Sequence, residues 1–428
     1  MFMPGKCWHG SNGTVEFVLM KSSKRLRSLI LFALVSLIVG ATGSAFAVTL
    51  EMSAVFRPDP ANPMRNAFEN TTPQGGHCKE HPTYCGPGVF SIGVPIRFRA
   101  VAPIQALHEE RQGPMFRLPS SWKDTTVIHD ETGESATVRM RFSGIGAAYT
   151  IKTPLHASTW IAHWGYPSPP CVKGGTSYGN AYYFAFFWRI PADGGVCSKQ
   201  AQLPITQDYG FAYENMSFSY ELATPNPLQM STGTYRGVLN YVVGPLGDFD
   251  MGDIMLPDDD LISLNFTLSV EHALKVEIPP GGNRVELVPQ GGWQAWLTQG
   301  RKPTRLFRDQ TFNVSSSSRF KMNLDCQYSL DGNRCSVRDP VSGHTVPLDV
   351  SVTLPSGLVD AAAQPVNRRP LRRDGSGTEL FQPRFYVDRK PGALHFEIAQ
   401  DEVGEMLKPG VARSYSGLVT VIWDSEVG

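Results

Sequence analysis

Apolar and polar residues alternate with a period of two through most of this chain. Because successive side chains of a strand point to opposite faces, this alternation predicts β-strands. The clearest examples are residues 94–100, 136–142, 261–270, 284–288 and 415–423. A helical period is limited to a weak candidate at residues 401–406. Gly- and Pro-rich turns separate the runs, so the pattern predicts an all-β protein built of sandwiches.

The run at residues 414–424 is a regular, strongly apolar strand pattern. Its residues Tyr415, Gly417, Val419, Val421 and Trp423 would share one face. Too few residues follow in the sequence for another turn and strand, so a sandwich that ends here would keep an open edge. Because exposed edges invite pairing with another chain, we expect this strand to have a partner.

A second stretch of the chain resembles this C-terminal strand. Residues 231–243 and 414–423 both contain Tyr-x-Gly followed by alternating apolar residues, with Tyr235 and Tyr415 separated by 180 residues. We interpret each stretch as the closing strand of its own domain. Gly, Pro and Asp residues after Val243 are typical of a linker. We therefore predict one domain over residues 48–256 and a second over 257–428, opening with the strand at 261–270.

The N-terminal residues carry a targeting pattern. A basic stretch at 20–27 precedes an apolar stretch at 29–39 that is too short to span a bilayer, and Ala45-Phe-Ala47 is typical of a cleavage site. We predict an N-terminal extension and signal peptide over residues 1–47, with Met20 as the start. The mature chain would begin near Val48.

Export changes how the cysteines are interpreted. Six of the seven cysteines fall in the predicted mature chain, and an oxidising compartment favours disulfides. Six cysteines allow many pairings, of which proximity favours the neighbours. The expected pairs are Cys78 with Cys85, Cys171 with Cys197, and Cys326 with Cys335.

Charge and motifs exclude several classes of function. Lys and Arg (39) balance Asp and Glu (39), which gives no support to nucleic-acid binding. No catalytic motif of the common hydrolase, metalloprotease or nucleotide-binding types is present. The cluster at residues 77–81 has two histidines, but Cys78 is expected in a disulfide, so we predict no metal site. Acidic neighbours at 109–110 and 258–260 could serve a glycosidase only if they faced each other, and solvated loops are favoured. We predict no cofactor.

Candidate binding residues are basic and aromatic. Arg97 and Arg99 share one strand face, and Arg139 and Arg141 share another. Two such strands side by side would form a basic patch for a glycan, although an ordinary solvated face is the commoner case. Trp160 and Trp164 could stack on sugar rings, but such aromatics lie more often in a core.

In the order of these features, the mature chain resembles the α-fimbrial (class 5-type) tip adhesins and minor pilin initiators of chaperone–usher pili, the CfaE/CblD family. The resemblance covers essentially the whole mature chain and is carried by short motifs. These are the close and wide Cys pairs, the strand at 233–243, the run Asn265-Phe-Thr-Leu-Ser-Val270 followed by Arg284-Val-Glu-Leu-Val-Pro289, Asp325-Cys326-Gln-Tyr328, and the ending Tyr415-Ser-Gly-Leu-Val-Thr-Val421.

The resemblance implies two immunoglobulin-like β-sandwich domains in tandem and no enzymatic activity. The first would bind a host-cell glycan or glycoprotein. The second would be a pilin sandwich lacking its last strand. A periplasmic chaperone would fill the gap, and at the outer-membrane usher the N-terminal donor strand of the major pilin would replace it. Such a protein is exported through the periplasm to the fimbrial tip on the bacterial surface.

The resemblance also assigns the C-terminal strand to one wall of a donor-strand groove. We expect the other wall to be formed by the run at 261–270, through Leu264, Phe266, Leu268 and Val270. Better-known members bind an anionic receptor through arginines just after the closing strand of the first domain. Residues 244–250 contain no arginine here, so those positions are not carried over. Two alternatives stay open: an assembly initiator without receptor binding, and a secreted β-sandwich polysaccharide hydrolase.

Overall fold

The computed structural model describes residues 47–408 and 414–425. The predicted extension and signal peptide therefore lie outside the described residues, apart from Ala47. The described chain is almost entirely β-structure, which confirms the predicted fold class, and it contains two separate hydrophobic cores. Within residues 47–408 and 414–425, no helix has the length and apolar character needed to cross a bilayer.

The strands of the first sandwich surround the first of these cores. They are β1 (Val48–Phe56), β2 (Glu69–Asn70), β3 (Val89–Gly93), β4 (Phe98–Ala100), β5 (Met115–Phe116), β6 (Lys123–His129), β7 (Ser135–Thr150), β8 (Val172–Lys173), β9 (Tyr178–Gly179), β10 (Tyr183–Arg189), β11 (Cys197–Ser198), β12 (Ala212–Ala223), β13 (Gly233–Val242), β14 (Met255–Pro257) and β15 (Leu261–Val270).

The strands of the second sandwich surround the other core. They are β16 (Leu274–Glu277), β17 (Val288–Pro289), β18 (Leu306–Ser316), β19 (Phe320–Cys326), β20 (Tyr328–Ser329), β21 (Cys335–Arg338), β22 (Thr345–Thr353), β23 (Leu358–Asp360), β24 (Arg369–Pro370), β25 (Phe381–Pro383), β26 (Val387–Ile398) and β27 (Val419–Ser425).

Helices are short in the described chain. The α-helices are α1 (His77–Glu80), α2 (Gln294–Gln299) and α3 (Gln400–Met406). The 3₁₀ turns are Pro82–Tyr84, Glu110–Gln112, Gln207–Tyr209 and Pro227–Gln229. α3 matches the one helix predicted from the sequence.

Strand β7 organises the first sandwich. It is 16 residues long and pairs with β12 along most of its length, with β6 near its start and with β10 near its end. These pairings belong to one network of 13 strands ordered β14-β4-β12-β7-β6-β13-β15-β1-β2, to which β3, β8, β9 and β10 attach. The network encloses a core rich in aromatic rings, among them Phe142, Trp188 and Tyr213.

The position of β15 corrects a sequence-based prediction. This strand was expected to open the second sandwich. It lies instead in the first sheet, antiparallel to β13 and parallel to β1. Its alternate residues from Ile262 to Val270 are fully buried in the first core. The alternation correctly predicted a strand, but pairing partners are set by contacts far away in sequence. The domain limits stay a prediction, and this pairing favours a limit after Val270.

The second sandwich is built from two facing sheets. One follows the order β16-β18-β26-β22-β21-β20, with β17 beside β18 and β24 beside β22. The other follows the order β23-β25-β19-β27. Their inward side chains form the second core, in which Phe312, Phe320 and Phe381 are wholly buried.

The predicted disulfides are confirmed as neighbouring pairs. Cys78–Cys85 closes the loop that carries α1, Cys171–Cys197 lies beside the first core, and Cys326–Cys335 connects β19 with β21. A small set of polar contacts connects the two sandwiches. His272 Nε2 donates to the carbonyl oxygen of Met230 at 2.9 Å, and its Nδ1 lies 3.2 Å from Ser317 Oγ.

Candidate functional site

The C-terminal strand β27 occupies an open edge of the second sandwich. It pairs antiparallel with β19, from Phe320 opposite Ser425 to Cys326 opposite Val419. Among the described residues it pairs with no strand on its other side. An edge of this kind presents a row of backbone donors and acceptors that another strand can use.

Burial shows that this edge is incomplete on its core-facing side. On β19, the inward residues Phe320, Met322 and Leu324 are at most 3% exposed. On β27, the inward residues Val419 and Trp423 pack against the same core but stay half-buried. Two adjacent strands with the same alternation thus differ in how well their inner faces are covered. The uncovered apolar surface lies along the open edge.

The hydrogen bonds of β19 indicate which backbone groups of β27 face outward. The N–H groups of Met322 and Leu324 donate away from β27, to the carbonyl oxygens of Thr378 and Arg372. In an antiparallel pair, residues directly opposite each other alternate between bonded and non-bonded positions. The residues opposite Met322 and Leu324 are Trp423 and Val421. The N–H and C=O groups of these two residues therefore point to the open edge.

The predicted second wall of the groove is in the wrong place. Leu264, Phe266, Leu268 and Val270 are buried in the first core and pair with β13 and β1, so they do not line an edge shared with β27. The ring of Trp423 instead contacts that of Phe312, with centroids 5.0 Å apart. Phe312 lies on β18, whose outer neighbours are β16 and β17. This contact places β27 opposite β18, so β16 and β17 flank the open edge.

The residues that form this second wall were missed in the sequence-based prediction. Leu274 and Val276 on β16, and Val285 and Leu287 just before β17, pack against the second core while only half-buried. They share this property with the inward residues of β27. The alternating run at 284–288 was a sequence signal for them, but nothing local in it specified the sheet edge that it would join.

The two remaining residues predicted for the groove lie at its end. Tyr415 lies against His344, with its hydroxyl 2.8 Å from Nδ1. Ser416 forms two backbone hydrogen bonds with Arg338 on β21, which places Gly417 over that strand. The stretch from Tyr415 to Gly417 therefore runs along β21, and β27 begins only at Val419.

The predicted arginines do not form one patch. Arg99 pairs with Ala212 at one end of β12, whereas Arg139 pairs with Ala223 at the other end. At about 3.3 Å per residue, the two positions are about 35 Å apart. Arg97 is also occupied, because its side chain pairs with Glu214 and its backbone N–H donates to Asp258. The alternation correctly placed Arg139 and Arg141 on one face of β7, but Arg97 lies just before β4, and the pattern could not show that β12 separates β4 from β7.

Arg141 on β7 lies between Trp122, just before β6, and Glu221 on β12. Its guanidinium lies 4.7 Å from the centroid of the Trp122 ring on one side. On the other side, two of its nitrogen atoms donate to the carboxylate of Glu221, at 2.9 and 3.2 Å. Arg139 approaches the same Trp122 ring at 5.6 Å. Trp122 therefore contacts both guanidinium groups, that of the exposed Arg139 and that of the half-buried Arg141.

The predicted tryptophans belong to the core. Trp164 is 2% exposed, and the half-buried Trp160 packs against it with ring centroids 4.6 Å apart. Tyr149 and Phe211 complete the same aromatic cluster. Trp164 is therefore a core residue, and Trp160 lies half-buried at the margin of the same core.

The other chemical candidates are accounted for by local structure. Cys78 is in a disulfide, and among the described residues no group of His, Cys, Asp and Glu side chains is arranged to hold a metal ion. Asp258 and Asp259 accept hydrogen bonds from the backbone N–H groups of Arg97 and Leu261. These carboxylates therefore stabilise the turn before β15.

Comparison with known proteins gives matches among solved structures only. No family model matches the sequence, and no curated protein matches it. One similar structure is CfaE, the adhesive subunit of the CFA/I fimbria of enterotoxigenic Escherichia coli, with 11% identity over 89% of this chain and 95% of that chain and a TM-score of 0.25. Another is a chaperone–tip adhesin complex of CFA/I fimbriae, with 11% identity over 89% of this chain and 97% of that chain and a TM-score of 0.23.

A third similar structure comes from a different pilus. It is the CsuC–CsuE chaperone–tip subunit complex of the Csu pili of Acinetobacter baumannii, with 10% identity over 88% of this chain and 99% of that chain and a TM-score of 0.22. Identities and TM-scores are low in all three cases. The functional proposal therefore rests on the strand pairing and burial of this chain.

Proposed function

We propose that this protein is a fimbrial tip subunit. Its second sandwich accepts a donor strand from another chain, and its first sandwich binds a receptor on a host surface, a glycan or glycoprotein. The observation that carries the proposal is the half-buried inner face of β27 beside a backbone edge that pairs with no other strand of the described residues. A strand added there would satisfy the outward N–H and C=O groups of Val421 and Trp423 and cover their side chains.

The geometry defines what the donor must provide. It must be extended, and its alternate side chains must be apolar in order to fill the space between β27 and the half-buried residues of β16 and β17. Covering that surface stabilises the complex by about 25 cal/mol per Å² of apolar area removed from water. Backbone hydrogen bonds to β27 then add affinity, and the fit of the alternate side chains into this space fixes the register of the donor.

The proposed partners act on this edge in sequence. A periplasmic chaperone covers the groove first. At the outer-membrane usher, the N-terminal donor strand of the major pilin replaces it. Because a tip subunit accepts a strand and precedes the other subunits, the protein would be exported through the periplasm and lie at the fimbrial tip on the bacterial surface.

Donor-strand complementation tests the proposal directly. A peptide of alternating apolar and hydroxyl residues, fused through a short flexible linker after Gly428 of the mature chain, should raise the melting temperature of the second sandwich and suppress aggregation. A free peptide at about 100 times its Kd should stabilise the fold by about 3 kcal/mol. The matched control carries Ser at every apolar position of the fused strand. A mature chain that is already a stable monomer and gains nothing from the apolar strand would overturn the proposal.

A further inference from the structure

The loop closed by Cys78–Cys85 lies directly on the first sheet. Gly76 approaches β12 so closely that a Cβ atom there would come within 2.2 Å of the Cβ atom of Ser217, and its φ of 70° is also a conformation that favours glycine. The ring of His77 stacks on Phe187 of β10, with centroids 3.6 Å apart and planes within 14°. The disulfide and these contacts fix the loop across β10 and β12.

A cleft of about 340 Å³ opens between this loop and the outer face of the sheet. Its volume is within the range of pockets that bind small ligands, about 300–1,000 Å³. Tyr84 on the loop forms one wall and is 39% exposed. Its hydroxyl accepts a hydrogen bond from Thr176 at 3.0 Å, so the ring is held in place before any ligand arrives.

Polar side chains from the sheet line part of a cleft that is otherwise mostly apolar. The Arg141–Glu221 pair lines one side, and the hydroxyl groups of Ser143 and Ser219 lie 3.3 Å apart beside it. A guanidinium paired with a carboxylate offers donors and acceptors side by side, the combination that adjacent hydroxyl groups of a sugar require. Because Glu221 neutralises Arg141, this pair adds no net charge to the cleft.

Arg189 supplies a positive charge that this arrangement does not neutralise. It lies at the end of β10 and lines the cleft, and its guanidinium donates to the backbone carbonyl of Tyr84. Among the described residues it has no carboxylate within ion-pair distance. The remaining N–H groups of a guanidinium fit the two oxygen atoms of a carboxylate.

We propose that this cleft binds an acidic saccharide, a pyranose ring that carries a carboxylate. The carboxylate would pair with Arg189, the ring would pack on Tyr84, and the hydroxyl groups would bond to the Arg141–Glu221 pair and to Ser143 and Ser219. The inference rests on the proposed receptor-binding role of the first sandwich and names the receptor chemistry. Of the arginines predicted from the sequence, it retains Arg141 alone.

Binding of defined oligosaccharides to the full mature chain tests this inference. The probes are 3′-sialyllactose, an oligosaccharide ending in glucuronic acid, and lactose as the neutral comparison. We expect at least one acidic probe to bind about tenfold or more tightly than lactose, because one charge-assisted bidentate contact contributes that much. Arg189→Gln should remove the preference for acidic probes, whereas Arg189→Lys should keep part of it. Tyr84→Ala should weaken binding of every probe.

Arg236→Gln is the matched control, because it removes the same charge from an exposed side chain on β13 of the same sandwich, where Arg236 pairs with Asp130. It should leave binding unchanged. Equal affinity for acidic and neutral probes, no binding of any probe, or equal losses in Arg189→Gln and Arg236→Gln would each overturn the inference. None of these results would affect donor-strand acceptance, which the fused strand tests separately. Melting curves of each variant show whether a loss reflects unfolding.

Discussion

The two sandwiches finish their sheets in different ways. In the first, β15 has a neighbour on each side, because the N-terminal strand β1 of the described chain runs parallel to it over nine residue pairs. In the second, β27 has β19 on one side and no described strand on the other. Both strands alternate apolar and polar residues. They differ in whether a described strand pairs with them on the second side.

The exposed fractions of the inward side chains differ between the two sandwiches in the same way. The inward residues of β15 are at most 2% exposed, and those of β1 from Met52 to Phe56 at most 3%. The inward residues of β27 are half-buried. In the first sandwich, a strand with a neighbour on each side therefore has fully buried inward side chains. Among the described residues, β27 has no equivalent of β1, and we propose that another chain supplies that strand.

The largest expected effect comes from damaging the strand that completes the first sandwich. Phe56 ends β1, is 1% exposed and packs against Phe68 and His272. Phe56→Ala should lower the free energy of unfolding by about 3–5 kcal/mol, because it leaves a cavity in a closed core. Denaturant unfolding followed by tryptophan fluorescence would measure the loss. Val55→Ala, on the other face of β1, should cost much less, and equal losses would contradict the role given to β1.

The sequence predicted where strands occur better than it predicted which strands pair with each other. Alternation correctly identified β15 and β27, and cysteine spacing identified the three disulfides. Neither could show that β15 pairs with β1, because those residues are about 200 positions apart and pairing depends on which edges meet in the folded chain. The same limit explains why the separation of the two predicted arginine pairs was not foreseen. The shared face of Arg139 and Arg141 was predictable, but the position of β12 between β4 and β7 was not. Arg189 lies within an apolar run, where no sequence pattern indicated the binding role that we propose for it.

A smaller effect is expected at the open edge, and it should depend on the donor. Trp423 contacts Phe312 and Phe320 but is only half-buried. Trp423→Ala should cost about 2–3 kcal/mol when a donor strand is fused to the chain, and less without it, because the donor buries the rest of the indole.

The measurement is the difference in melting temperature between fused and unfused chains, for the variant and the wild type. Ile422→Ala is the control, since this side chain is 37% exposed on the outer face of the same strand. A loss at Trp423 that is the same with and without the donor would contradict the comparison, because β27 would then already be as well covered as β15.

The smallest expected effect is a pH dependence that arises mainly in the first sandwich. Burial lowers the pKa of His77 to about 4, and the positive charges of His81 and Arg189 act in the same direction. Since the folded state disfavours the protonated ring, its stability is complete above the ordinary pKa of about 6.5 and is lost as the pH falls from there towards 4. Between about pH 7 and pH 5 the loss should be about 1–2 kcal/mol.

His77→Phe should keep the stacking on Phe187 and remove most of this dependence. A weaker dependence of the free energy of unfolding on pH should remain, because burial also lowers the pKa of His272. This residue lies between the two sandwiches. Unfolding curves of the donor-fused chain at several pH values would separate the two transitions, because only the first should move with His77. The contrary result is that acid weakens the second sandwich as much as the first, with no change of either transition in His77→Phe. In that case the pH dependence would not arise in the first sandwich. The distinction between a self-completed sandwich and a donor-completed one would then have to rest on β1 and β27 alone.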